Sequence, residues 1–207
     1  MEFKFKTVTK GILKQSAFKI LTNPFRIKRR IEKIKEKKLL IILNLHRVAK
    51  DDGSSYRPLD PKIFNKLILY LKEHFVFTSF SEIKNERKNI DLLTEKAKVI
   101  LSFDDGYKDF IEIAHPILLH HGIKANHNII PNCVNQQRPP INVILQDYIG
   151  KISKEELRKF KIPNYSWDEK LTKYQEGLKL SRHIKNNPYR VQLEIEKYCF
   201  DQVGDRL

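Results

Sequence analysis

The chain has 207 residues, 40 lysines and arginines against 25 acids for a formal charge of +15 at pH 7, and 41% hydrophobic residues. That length and apolar content suit one sizeable folded domain, or most of a larger one, and argue against wholesale disorder. The two cysteines, Cys133 and Cys199, lack metal-motif spacing and give no disulfide framework, and the longest apolar run, Leu39–Leu45, is too short to span a bilayer.

Residues 1–38 read as a basic, helical N-terminal segment, broken at Asn23-Pro24 because the residue before proline is pushed out of helical geometry. No apolar stretch of signal-peptide length occurs in it, which points to a cytoplasmic location. Its stretch 26–38 carries eight basic residues and two acidic ones. Such a surface suits peripheral contact with an anionic partner. It also suits a solvated helix face, with Ile27, Ile31 and Ile34 as the inner stripe at helical spacing. No helix-turn-helix, zinc-finger or RNP-type signature accompanies the charge, so no specific nucleic acid is expected.

Leu39–Leu45 is continuously apolar apart from Asn44 and reads as a fully buried strand that ends in His46-Arg47. A turn-rich loop follows at Asp51–Ser55. Apolar positions in Pro61–His74 fit a helix buried on one face, Phe75–Thr78 a short strand, and Ser81–Glu86 a helical turn. The polar stretch Asn85–Lys96 reads as loop plus a short helix. A second apolar run, Val99–Phe103, predicts a buried strand, and Lys108–His121 a helix closed by Gly122. Ala125–Ile130 completes the alternation as another strand, so the spacing predicts an α/β fold with a parallel sheet over 39–135.

From residue 136 the pattern is different. Gln136–Pro140 reads as a loop, and the remainder as a mostly helical C-terminal segment, an insertion or subdomain over 136–207. Ser153 with Glu156 and Ser166 with Glu169 both have capping-box spacing. Pro188 suits the first position of a last helix that stops near Gly204.

The chemistry converges on Val99–Tyr107, where the apolar run ends in Asp104-Asp105-Gly106. Parallel-sheet folds place ligands at the C-terminal ends of their strands. Adjacent carboxylates there can divide the work, one ligating a divalent cation while the other stays free as a base. Zinc and similar ions take nitrogen alongside oxygen, which makes His46 and His127, both on predicted strands, the candidate partners. His115, His120 and His121 fall on the helix after the motif. An Asp-Asp-Gly turn that merely caps a helix is the simpler reading of the same residues. A phosphoryl-transfer site would call for Asp-x-Asp spacing instead.

Leu101-Ser102-Phe103-Asp104-Asp105-Gly106-Tyr107, followed by Ala114-His115-Pro116-Ile117-Leu118 and Gly122-Ile123-Lys124-Ala125 and preceded by Leu45-His46-Arg47-Val48, resembles the polysaccharide deacetylases with a NodB-homology domain. These are metal-dependent carbohydrate esterases. The resemblance implies a partial, distorted (β/α) barrel of NodB-homology type that removes acetyl groups from an N- or O-acetylated carbohydrate. It implies Asp104 as the general base and Asp105 as a ligand of a divalent metal: zinc, or cobalt, nickel or manganese. His46 and His127 stand as candidate further ligands, because the family's His-x-x-x-His pair occurs nowhere in the chain. That departure makes the chain resemble the N-terminal part of a longer member, weakly active by itself. Arg138-Pro139-Pro140 has the letters of a later family motif but precedes its expected place, and reads as a loop. The alternative function is that of a non-catalytic basic protein that binds an anionic partner.

Overall fold

The structure, a computed structural model, describes residues 22–86 and 97–204. The predicted helicity of the first 21 residues, and most of the loop and short helix predicted up to Lys96, lie outside these residues. The fold is mixed α/β. Four strands, β1 (Leu40–Leu45), β2 (Val76–Phe77), β3 (Lys98–Phe103) and β4 (Asn126–His127), form one sheet in the order β1-β3-β2, with β4 also paired to β3. β2 runs parallel to β3, Val76 opposite Lys98 and Phe77 opposite Val99. β1 and β2 lie on opposite edges of β3: Lys98 N–H donates to Leu39, whereas Ala97 and Val99 carbonyls accept from Val76 and Thr78.

All six residues of β3 are buried, as its unbroken apolar run predicts. β1 departs from expectation. Its burial alternates, leaving Leu40 42% and Ile42 51% exposed. Successive strand residues face opposite sides, so one face of this edge strand is open, and Asn44 shares that face with Leu40 and Ile42. A continuous apolar run cannot by itself tell a strand covered on both faces from one covered on a single face.

The helices are α1 (Pro24–Glu36), α2 (Pro61–His74), α3 (Phe80–Glu86), α4 (His115–His120), α5 (Pro131–Gln136), α6 (Ile141–Lys151), α7 (Lys154–Lys159), α8 (Lys173–Lys185) and α9 (Tyr189–Val203). Asn23 caps α1 by accepting from the Phe25 and Arg26 amides, which fixes the predicted break. The helix expected after the acid pair is interrupted by a π-helical turn, Phe110–Ala114, before α4, and Gly122 closes it at φ +66°. Two expectations shorten or move. The strand Ala125–Ile130 contracts to β4, since Pro131 already starts α5, a helix the sequence reading missed. Ser153 and Glu156 do form a reciprocal capping box, but Ser166 and Glu169 do not. The box for α8 is Thr172 with Gln175, six residues further on.

The described residues divide into two compact units, one drawn from 22–43, 67–86, 97–102 and 123–126, the other from 44–66, 103–122 and 127–204. The second holds a helical core in which Leu145, Ile149, Leu180, Ile184, Ile195 and Cys199 are almost wholly buried. In the same unit the loop after β1 is laid onto α6: Ser55 donates from both its amide and its hydroxyl to the Gln146 carbonyl. The C-terminal helical segment is therefore packed with the strand ends that carry the acids.

Candidate functional site

The site belongs wholly to the second unit. Asp104 leaves β3 with its amide donating to the Leu45 carbonyl, and Asn128 donates its own amide to the Phe103 carbonyl, so the three strand ends are tied together. Asp105 and Gly106 then both adopt left-handed backbone, each at φ +72°. That conformation is uncommon for a residue with a side chain, though aspartate tolerates it better than most. It reverses the chain directly after the strand. Glycine suits the second position for space as well, since a Cβ there would make a tight contact, 3.2 Å, with the Ile129 side chain.

The two carboxylates have different surroundings. Asp104 is gripped by two side-chain amides: Asn128 donates to Oδ1 and Asn44 to Oδ2, both at 2.7 Å. These donors, Asn128 first, hold its carboxyl below the usual carboxylate range. It is therefore an anion at neutral pH, able to receive a proton. Asp105 faces His46, whose Nε2 lies 3.9 Å from Asp105 Oδ2, and the His46 ring meets Tyr56 edge-on.

His127 takes another course. Its ring stacks on Phe110 with centroids 4.0 Å apart, its Nε2 is buried without a hydrogen-bond partner among the described residues, and burial lowers its pKa. Among the described residues no three His, Cys, Asp or Glu side chains come together to hold a metal ion. A catalytic zinc site takes three protein ligands. The structure brings two of the expected donors, Asp105 and His46, toward each other and does not bring His127 to them as a third. The donor set does not fit the metal that the resemblance implies. Of the histidines set aside, His121 bonds Asn65 Oδ1 at 2.8 Å through Nε2, away from the acid pair.

The sequence reading named Arg47 only as part of the strand end, yet it anchors the site. Its Nε donates to Asp109 at 2.9 Å, Nη2 to Asp52 at 2.7 Å and Nη1 to the Tyr56 carbonyl, and the guanidinium lies 5.2 Å from the Tyr107 ring centroid. Burial pushes the Asp109 carboxyl up despite the guanidinium. Asp52 is lowered, since its hydrogen bonds from Arg47 and Ser54 outweigh burial. Asn44 was missed as well, appearing only as the polar letter of an apolar run. That polar residue, placed two before the strand's terminal histidine, was the available signal.

No family model matches the chain, and no curated protein matches it. Solved structures similar to it include a de-N-acetylase from Aggregatibacter actinomycetemcomitans, at 21% identity and a TM-score of 0.41 over 46% of this chain and 39% of that one. The deacetylase PplD of Streptococcus pyogenes, in complex with acetate, matches at 20% identity and a TM-score of 0.41, over 69% of this chain and 80% of that one. A protein described as a polysaccharide deacetylase from Bacillus anthracis matches at 18% identity and a TM-score of 0.36, over 76% and 55%. The chain thus spans about two fifths of the first of these.

Proposed function

We propose that the chain carries the proton-accepting part of a carbohydrate deacetylase, a hydrolase that removes the acetyl group from an acetylated sugar. The observation that carries this reading is Asp104, held at the end of a buried strand by Asn44 and Asn128, beside the Asp105-Gly106 turn and His46. The sequence resemblance around Leu101–Tyr107 supplies the reaction class, and a partial barrel is the corresponding form of the fold. Asp104 takes a proton from water as the water oxygen adds to the acetyl carbonyl carbon. The bond from that carbon to the sugar nitrogen or oxygen then breaks. Acetate leaves, and the proton held by Asp104 passes to the departing amine or alkoxide.

Acetate release from N-acetylated and O-acetylated sugar oligomers, measured with the full chain with and without added zinc or cobalt, tests this reading. Release that falls at least about a hundredfold in Asp104→Asn is expected, the usual scale for loss of a general base. No release under any condition, or release indifferent to that substitution, overturns it.

A second reading has its own observation. No residue of α1 is fully buried, and Arg26, Arg29, Arg30 and Lys33 are all exposed on it beside an exposed Phe25. This face suits an anionic partner. Binding to phosphatidylserine vesicles or to a nucleic acid duplex that weakens steeply with salt, and is lost when the four cations become glutamine, supports it. Absence of binding at low salt removes it.

A further inference from the structure

The Asp105-Gly106-Tyr107 turn opens on a cavity of about 440 Å³ whose wall also includes Asp147 of α6. α6 is otherwise nearly all buried: Val143, Ile144, Leu145, Gln146, Tyr148 and Ile149 are covered, whereas Asp147 keeps part of its surface open. A carboxylate on a helix so deeply packed is not there for solubility. Its Oδ1 accepts from the Ser54 hydroxyl, and Oδ2 has no hydrogen-bond partner among the described residues. The Tyr107 hydroxyl, raised in pKa first by burial and then by the fields of Tyr56, Asp105 and Asp147, is itself buried without a described partner.

The charges on this cavity are not equally available. Among the described residues each cation on its wall has an acidic partner: Arg47, itself buried, pairs with Asp109 and Asp52, Arg138 with Glu196, and Lys108, 86% exposed and directed to solvent, with Glu112. The carboxylates Asp105 and Asp147 retain acceptor capacity. Pro139, Pro140 and Val143 add apolar surface to the same wall. A pocket with free acceptors, occupied cations and an apolar face matches a sugar ring, which offers hydroxyl donors at its edge and C–H bonds on its face. An anionic ligand would meet two carboxylates whose neighbouring cations are already paired.

We propose that Asp147 is a substrate-binding residue of this cavity, accepting hydrogen bonds from hydroxyl or ammonium groups of a sugar ring, so that the C-terminal helical segment selects uncharged or amine-bearing sugars over anionic ones. The inference rests on the deacetylase reading for its ligand class. It also runs against the net charge of +15, which taken alone would point to an acidic glycan.

The test is direct binding of tri-N-acetylchitotriose and of oligogalacturonate to the full-length chain by calorimetry, in an Asp104→Asn background in which turnover is blocked. Asp147→Ala is expected to weaken chitotriose binding at least about tenfold, since a hydrogen bond to a charged group is lost. Ser54→Ala, which removes the same internal bond but leaves the carboxylate in the cavity, should stay within about twofold. Thermal melts of each variant identify any that fail to fold. Equal losses in Ser54→Ala and Asp147→Ala would assign Asp147 a purely structural role and overturn the proposal. So would wild-type affinity in Asp147→Ala, no chitotriose binding in the parent, or tighter binding of oligogalacturonate. Sugar binding that depends on Asp147 without acetate release from the wild-type chain would sink the deacetylase reaction and leave this site standing; acetate release indifferent to Asp147 would do the reverse.

Discussion

Gly150 of α6 lies directly against Gly53 of the loop that follows β1: a Cβ on Gly150 would run into the Gly53 carbonyl oxygen and lie 2.6 Å from the Ser55 nitrogen. The obstacle is backbone, which cannot swing aside as a side chain can. Gly150→Ala should therefore lower the unfolding free energy by about 3 kcal/mol, the upper part of the usual range for overpacking. Gly177→Ala meets the Ser55 hydroxyl, which can rotate at the cost of its bond to the Gln146 carbonyl, and the Ser55 Cβ at 2.8 Å, which rotation does not move; with no backbone atom in the way it should lose less, about 2 kcal/mol. Urea unfolding of both variants checks the order. Equal losses would mean that the loop and helix are not in register as described.

The loop so clamped carries Asp52, one of the partners of Arg47, and this gives a second expectation. Arg47 is 12% exposed at its side chain and Asp109 10%. Removing one member of a buried pair leaves the other charge uncompensated, which costs about 3–5 kcal/mol. Arg47→Ala should fall in that range. Arg47→Lys should recover only part of it, because one ammonium cannot reproduce a fork that reaches Asp109, Asp52 and the Tyr56 carbonyl together. Arg47→Ala combined with Asp109→Asn should be less damaging than Arg47→Ala alone. Denaturation of the three proteins decides it, and additive losses would contradict the pairing.

At the acid pair, Asn128 and Asn44 both favour the charged form of Asp104. Asn128→Ala removes the stronger of the two donors, so the Asp104 pKa should move up toward the ordinary carboxylate range. If Asp104 must be deprotonated to act, the acid limb of the acetate-release profile then moves to higher pH in this variant. Asn44→Ala should move it in the same direction. A limb that stays in place while the rate falls would mean that the amides orient Asp104 without tuning it.

Much of this arrangement is legible in the sequence, and the failures have physical causes. The run Val99–Phe103 identified β3 because a strand buried on both faces has to be apolar throughout, and the carboxylates that end it could then be placed without a structure. The same logic misjudged Leu39–Leu45, where an edge strand with one open face carries an equally apolar run. Asn44 escaped notice because its partner lies 60 residues away, and sequence proximity says nothing of such contacts. His127 was a candidate ligand because histidine binds metals, and its ring stack with Phe110 was not visible in the spacing of the letters. The capping rule found Ser153 but also matched Ser166, since the spacing of four letters does not show whether a helix follows. Asp147 and the Gly150 contact with Gly53 arise only from tertiary packing, and no local pattern announced either.

A pH-dependent term should come from the other compact unit, at the start of α3. Ser79 and Glu82 cap this helix reciprocally: the Ser79 amide donates to Glu82 Oε2 at 2.9 Å, and the Glu82 amide donates to the Ser79 hydroxyl at 3.2 Å. Lys124 reaches Glu82 Oε1 at 2.9 Å. The Lys124 hydrogen bond is the first cause, with the Ser79 bonds assisting against slight burial, and together they bring the Glu82 pKa from 4.5 down to about 2. A carboxyl depressed in the folded state binds its proton more readily when unfolded, so its contribution is complete above about 4.5 and fades as pH falls toward 2. Both side chains are substantially exposed, and solvent screening limits the cap and ion pair to about 1 kcal/mol. Glu82→Gln should therefore be less stable than the wild type by about that amount at pH 7, with the gap closing as pH approaches 2. Unfolding curves of the two proteins across that interval check it; a gap of constant size would show that the difference does not come from the carboxylate charge, and no gap at pH 7 would show that the amide caps the helix equally well.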